Sequence, residues 1–136
     1  MKKRSPTICP IVFSLDIFGD KWSLVILRDL LISGKRHFRE FLSSEEKIAT
    51  NILANRLELL IANSLVTKHD DPENKSAAIY MPTKKALDLV PMIIEMMRWG
   101  AQYNPNNDAS IPVMQQLQTD PDAMQQCIIE QFSTES

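Results

Sequence analysis

The chain has 136 residues, 44% of them hydrophobic and 24% charged, and its formal net charge is −2, which is typical of a globular protein with its own core. Two cysteines and no apolar run approaching about 18 residues argue against a disulfide scaffold and a membrane span, so we expect a reducing, cytoplasmic location. All fifteen lysines and arginines and twelve of the seventeen acidic residues precede residue 104. Residues 1–103 therefore carry +3 and residues 104–136 carry −5. This distribution permits nucleic-acid binding by the first part of the chain.

The first predicted helix begins at Pro10, because proline is well tolerated at the first helical position. Residues 1–4 are basic like the start of a signal peptide, but Asp16 interrupts the apolar stretch that follows and no small-residue cleavage site is present. Gly19 is expected to end this helix. Its inward-facing residues are predicted to be Val12, Phe13, Ile17 and Phe18.

A second and a third helix follow. Asp20 is a good N-cap for a helix that extends to Ser33, with Gly34 as its stop. Residues 38–42 form a brief third helix, and residues 43–47 form the turn after it. The expected apolar positions of the second helix are Trp22, Val25, Ile26 and Leu30, and those of the third are Phe38, Phe41 and Leu42.

The most informative stretch is an amphipathic helix at residues 50–61, followed by two short strands. Apolar residues repeat at intervals of three and four on one side of the helix. Strands are predicted at residues 65–68 and 78–81, with a polar turn at residues 70–75 between them. Helix, strand, polar turn and strand in this order are typical of a winged helix, which places one helix in a DNA groove beside a hairpin. The apolar stripe is Leu53, Leu57, Leu60 and Ile61, and the opposite face carries Thr50, Asn51, Ala54, Asn55 and Glu58.

The remainder of the chain predicts three further helices. Thr83 caps a long helix over residues 84–103, in which Pro91 produces a kink. Residues 104–108 form a linker, which suggests a domain of residues 1–103 and an acidic helical extension of residues 104–136. One tail helix starts near Ser110 and the other after Asp120. The second tail helix presents Met124, Ile128 and Phe132 on one face, which covers either the chain's own core or a partner subunit.

Six short motifs, taken in order, resemble one known family. They extend over residues 9–100, and the chain resembles the HxlR family of bacterial transcriptional regulators, which are MarR-like, dimeric winged helix-turn-helix proteins. The motifs are Cys9-Pro10, Gly19-x-Lys21-Trp22, Leu27-Arg28-Asp29-Leu30, Phe38-x-Glu40, Leu53-x-x-Arg56-Leu57 and Trp99-Gly100.

The resemblance implies a homodimer, joined by the first and last helices of the domain, that reads a near-palindromic operator on double-stranded DNA. The family's recognition helix corresponds to residues 50–61, its wing to residues 66–81 and its basic pair to Arg36-His37. The family usually has serine before this helix, whereas the chain has Ala49, so we expect Thr50 to act as the cap. A base-edge contact is predicted for at least one of Asn51 and Asn55, because an asparagine amide pairs with adenine N6 and N7.

The predicted phosphate contacts come from the basic residues around this helix and on the wing. Arg56 lies beside the asparagine face, where it binds phosphate or the neighbouring helix. Asp70, Asp71 and Glu73 would repel phosphate, so only the wing tip near Lys75 is expected to approach DNA. The complete set of predicted DNA-binding residues is Arg36, Arg39, Lys47, Thr50, Asn51, Asn55, Arg56 and Lys75.

Cys9 is the one candidate for thiol chemistry, because the N–H groups and dipole at a helix N-terminus favour a thiolate. Lys2, Lys3 and Arg4 would add positive potential. In several HxlR-type regulators the matching cysteine senses oxidants or electrophiles, so the resemblance implies a thiol sensor here. A packed, unreactive cysteine at a dimer interface is the alternative, and Cys127 is expected to be buried.

No enzymatic site is predicted. His37 and His69 are far apart in sequence and lack an evident acidic or nucleophilic partner, no Cys/His cluster has metal spacing, and no cofactor is expected. The chain is therefore predicted to be a transcriptional regulator, with a small ligand or an electrophile as its effector. The alternative is a winged-helix module that binds proteins without specific DNA binding.

Overall fold

The computed structural model describes residues 6–135, with side chains described through residue 132. The predicted basic segment of residues 1–4, including Lys2, Lys3 and Arg4, lies outside these residues. The chain forms two compact units, Met1–Met81 and Pro82–Ser136. The units divide between residues 81 and 82. The boundary at residue 103 was predicted for a DNA-binding domain and its extension, and it stays a prediction.

The first unit is mainly helical and ends in a two-stranded hairpin. Its element order is the one expected for a winged helix. The helices are α1 (Pro10–Phe18), α2 (Lys21–Leu31), α3 (Phe38–Leu42) and α4 (Thr50–Ala62), and the strands are β1 (Val66–Asp71) and β2 (Asn74–Pro82).

The first two helices begin where the sequence predicts, but the end of the second and the packed face of the first differ from the prediction. Asp20 accepts a hydrogen bond from the backbone N–H of Ser23 and caps α2, whereas α2 ends at Leu31, two residues early. Gly19 ends α1 as predicted, as a C-cap with a right-handed backbone. Val12 and Phe13 are exposed rather than inward-facing. Because α1 is apolar on all sides, its periodicity did not identify the packed face.

The core of the first unit lies between α2 and α4, which pack against each other. Phe41 of α3 joins this core and meets Tyr80 of β2 edge to face, with ring centroids 6.2 Å apart. Phe38 and Leu42, predicted to be buried, are only half-buried. The fully buried residues of the two large helices are Ile26, Leu27, Leu30, Leu31, Leu53, Leu57 and Leu60.

The start of α4 corrects the expected cap. Ala49 is the N-cap: its backbone is extended, its carbonyl accepts from the N–H of Leu53, and no side chain caps the helix. Thr50 is already helical, so it cannot be the N-cap, whose backbone must lie outside the helix. Lys47 (φ 56°) turns the chain into this segment.

The hairpin is longer than predicted. The strands continue through Asp71 and restart at Asn74, leaving only Pro72 and Glu73 in the turn. Asp70, Asp71 and Lys75 therefore lie on strands and not in a polar loop. Acidic residues and asparagine have low strand propensity, which is why the sequence placed the strand ends too far from the turn.

In the second unit, Thr83 caps a short helix α5 (Lys84–Leu87) and α6 (Val90–Tyr103) follows. Pro91 breaks the expected long helix at Asp88 and Leu89 instead of kinking it, because its ring cannot pack against the carbonyl one turn earlier and it has no N–H to donate.

The tail consists of α7 (Pro112–Thr119) and α8 (Pro121–Glu135). Both pack against α6 and against each other. Asp120 accepts from the N–H of Ala123 as predicted, and Met124, Ile128 and Phe132 are buried. The tail thus covers the core of its own chain, one of the two arrangements that the sequence left open.

Candidate nucleic-acid interface

The polar face of α4 is open to solvent. Asn51 and Asn55 are exposed, whereas Leu53 and Leu57 on the opposite side are buried. Residues four apart on a helix project from the same face, so the two amides stand side by side. This is the geometry that the sequence predicts for a helix that reads base edges.

The two asparagines differ in their surroundings. The Oδ1 atom of Asn55 accepts a hydrogen bond from Nη1 of Arg56, whose Nε donates to Oδ2 of Asp20 at 2.9 Å. Arg56 is thus joined to the N-cap of α2. Of the two roles predicted for it, phosphate binding and contact with the neighbouring helix, the structure shows the second. For Asn51, the described part of the chain offers no side-chain hydrogen bond.

The predicted phosphate contacts fall into two groups. Arg39, Lys47 and Lys75 are exposed, on α3, on the turn before α4 and on β2. Arg36 is half-buried, and its Nη1 donates to the backbone carbonyls of Leu30 and Lys35. Arg36 therefore stabilises the loop between α2 and α3, whereas the three exposed cations present their charge to solvent.

His37 lies between two carboxylates, contrary to the prediction that it has no acidic partner. Its Nδ1 is 2.9 Å from Oε1 of Glu40, and its Nε2 is 3.1 Å from Oδ2 of Asp71 on the wing. These contacts raise the pKa of His37 above 6.5. The backbone N–H of Glu73 and then His37 lower the pKa of Asp71, so the Asp71 carboxyl stays ionised.

Lys68 is a wing cation that sequence reasoning missed. It is exposed on β1, with its Nζ 5.9 Å from the ring centroid of Tyr80. Lys68, Arg39, His37 and Asp71 line an open groove of about 740 Å³ between α3 and the wing. The strand periodicity of residues 66–71 could have placed Lys68, because it puts residues 66, 68 and 70 on one side of β1.

Comparison with known proteins identifies the family. The HxlR-like helix-turn-helix model matches residues 17–108. The chain is 31% identical to the HTH-type regulator YodB of Bacillus subtilis strain 168, over 71% of this chain and 87% of YodB. It is also 31% identical to YdeP of the same organism, over 74% of this chain and 77% of YdeP. The oxidized form of the redox regulator HypR superposes with a TM-score of 0.63, at 28% identity, over 71% of this chain and 98% of HypR.

The chain belongs to the HxlR-like helix-turn-helix family. It is a DNA-binding transcriptional regulator with a winged helix, as the sequence predicted. Within residues 6–135, no helix is long and apolar enough to cross a membrane, and no group of three or more His, Cys, Asp and Glu residues could hold a metal ion.

The family motif Leu27-Arg28-Asp29-Leu30 holds the turn before α4 in place. Asp29 is only 2% exposed and accepts from Arg28, Lys35 and Ser44. Arg28 also forms a two-bond pair with Glu46, at 2.8 and 3.0 Å, which lowers the pKa of Glu46 to about 2. Since Ser44 and Glu46 lie in the turn before α4, this network fixes where α4 begins.

The two thiols differ from the prediction in one respect. Cys9 is the half-buried N-cap of α1, and its backbone N–H donates to Oγ1 of Thr7. Cys127 is exposed on α8, so its predicted burial was wrong. It lies beside, and not on, the stripe that Met124, Ile128 and Phe132 bury.

Proposed function

We propose that this HxlR-like regulator is a homodimer that places one α4 in the major groove of each half of a near-palindromic operator. The observation that carries the proposal is the open face of α4, where Asn51 and Asn55 stand side by side on a helix anchored by a fully buried leucine stripe. A helix of this kind beside a hairpin is the geometry of winged-helix DNA readers. Because its DNA target is chromosomal, the protein acts in the cytoplasm.

Two exposed apolar helix faces support the dimer. On α1, Phe13 is 56% and Ile11 is 70% exposed. On α6, Trp99 is 69% exposed and stacks at a tilt on exposed Tyr103, with ring centroids 5.2 Å apart. Exposed apolar clusters of this kind mark interaction surfaces, and α1 and α6 are the first and last helices of the HxlR-like domain, through which we propose that a second copy binds.

The phosphate contacts of the proposed complex come from Arg39, Lys47 and Lys75, with Thr50 at the first turn of α4. Arg36 and Arg56 support these contacts from within the protein. Contacts to phosphate position the protein, whereas the two asparagines supply sequence preference.

The experiment is capture of genomic fragments at physiological salt by the wild type and by a variant with both Asn51→Ala and Asn55→Ala. The wild type should retain a small set of fragments, and the variant should bind DNA without preference. Equal fragment sets for both proteins would show that the two asparagines do not set the sequence preference, whereas retention of protein partners alone would favour the alternative of a protein-binding module.

Regulation through Cys9 is a second proposal. The relatives YodB and HypR are described in a diamide-treated form and as a redox regulator, respectively, and Cys9 lies next to the exposed apolar residues of α1. Oxidation of Cys9 at the dimer interface would change the spacing of the two α4 helices. Operator binding by the wild type should then weaken after diamide treatment, and Cys9→Ser should abolish the response while Cys127→Ser keeps it. An unchanged response in Cys9→Ser would show that Cys9 is not the sensor.

A further inference from the structure

The carboxylate of Asp20 is fixed in orientation by the first turn of α2. Its Oδ2 accepts the backbone N–H of Ser23 at 3.0 Å, and its Oδ1 accepts the Ser23 hydroxyl at 2.6 Å. Ser23 is 2% exposed, so it cannot move away. Both oxygens of Asp20 are therefore held, and Oδ2 faces α4.

Arg56 lies between Asp20 and Asn55 and orients the amide of Asn55. Its Nε donates to Oδ2 of Asp20, and its Nη1 donates to Oδ1 of Asn55. A guanidinium is planar and has only donors. It can therefore bond only to the oxygen of the asparagine amide. The oxygen of Asn55 lies toward Arg56, and its amino group lies on the opposite side of the amide.

An asparagine held in this way offers donors to a base edge. Guanine presents two neighbouring acceptors, O6 and N7, in the major groove, whereas adenine presents an N6 amino donor beside N7. The usual asparagine–adenine pair needs an amide oxygen turned toward N6, whereas the Asn55 oxygen is turned toward Nη1 of Arg56. An adenine would place its amino group against the amino group of the amide.

We propose that Asp20 and Arg56 act as positioning residues that make Asn55 read guanine instead of adenine at one position of each half-site. This inference rests on the proposed function, since it requires α4 in the major groove. Asn51, whose amide has no hydrogen-bond partner among the described residues, keeps the ability to pair with adenine. The HxlR-like recognition helix thus carries two asparagines with different base preferences, set by a residue outside the helix.

The test is selection of bound sequences from random DNA, with Asn55→Ala used to identify the position that Asn55 reads. The wild type should prefer guanine over adenine at that position by about tenfold, the discrimination of one good base contact. Arg56→Lys keeps the charge but lacks the planar fork of donors, so it should reduce this preference to about twofold or less and leave other positions unchanged. Asp20→Ser keeps an N-cap and removes the second oxygen, and should act in the same way.

Arg98→Lys is the matched control, because it makes the same exchange at an exposed arginine of α6 that pairs with Glu95, and it should leave every base preference intact. Thermal unfolding by circular dichroism verifies that each variant is folded. The inference is overturned if the wild type selects adenine at the Asn55 position, or if Arg56→Lys leaves the guanine preference unchanged. A wild type that enriches no sequence at all overturns the proposed function, and this inference with it.

Discussion

Individual side chains have two separate tasks in this regulator. Asp29 and Arg28 hold the turn before α4, and their partners are other protein groups. Arg39, Lys47 and Lys75 present charge to solvent. The first kind of residue holds α4 in place, and we propose that the second determines how strongly the protein is attracted to phosphate.

Substitution of Asp29 tests the first task. Asp29→Ala leaves Arg28 and Lys35 without their shared buried carboxylate, so it should lower the free energy of unfolding by about 3 kcal/mol. Asp88→Ala removes an exposed partner of Lys84 and should change it by less than about 0.5 kcal/mol. Urea unfolding of both variants gives the comparison. Equal effects would show that the buried network does not stabilise the fold.

The salt dependence of binding tests the second task. If Arg39, Lys47 and Lys75 of each subunit neutralise one phosphate each, replacing any one of them with glutamine removes two contacts per dimer. It should therefore reduce the slope of log K against log salt by about 1.8. Fluorescence anisotropy with a captured fragment measures this slope. A slope equal to that of the wild type in all three variants would mean that these cations do not touch the DNA backbone.

At the scale of elements, the wing is joined to α3 by His37. Both ring nitrogens of His37 face carboxylate oxygens, of Glu40 and Asp71. A neutral imidazole has one donor and one acceptor, so only the protonated ring can donate to both carboxylates. The position of the wing relative to α3 is therefore linked to pH.

The pH dependence has a definite sign. The folded-state pKa of His37 lies above its unfolded value of 6.5, so its contribution to stability is complete below pH 6.5 and is lost as the pH rises through the higher folded value. The melting temperature of the wild type should therefore exceed that of His37→Gln by more at pH 6 than at pH 8.5. A difference that stays constant between these pH values would contradict the assignment.

The sequence predicted helix starts better than strand ends and side-chain pairs. Pro10, Asp20 and Pro121 locate three helix starts by local chemistry alone, and helical periodicity placed Asn51 and Asn55 on the open face. The pairs Arg56–Asp20 and His37–Asp71 join residues 36 and 34 positions apart. Their contact depends on how α4 and the wing pack, and no local pattern in the sequence contains that information.

At the scale of the whole molecule, the account requires two copies. Phe13→Asp or Trp99→Asp places a charge on an apolar face that we propose is covered by the partner, so either variant should convert a dimer to a monomer at micromolar concentration. Gln116→Asp adds the same charge to an exposed position of α7 and should leave the dimer intact. Sizing chromatography with light scattering measures the mass. A wild type that is already monomeric would contradict the dimer.

Hydroxyl-radical footprinting of the wild type on a captured genomic fragment tests the central claim most directly. Two copies of α4 related by a two-fold axis should protect two tracts whose centres are about 10 base pairs, or a multiple of that helical repeat, apart. The account predicts this paired pattern, and it predicts its loss when Asn51 and Asn55 are both alanine. A single protected tract, or a paired pattern that survives the double substitution, would show that α4 does not read the operator.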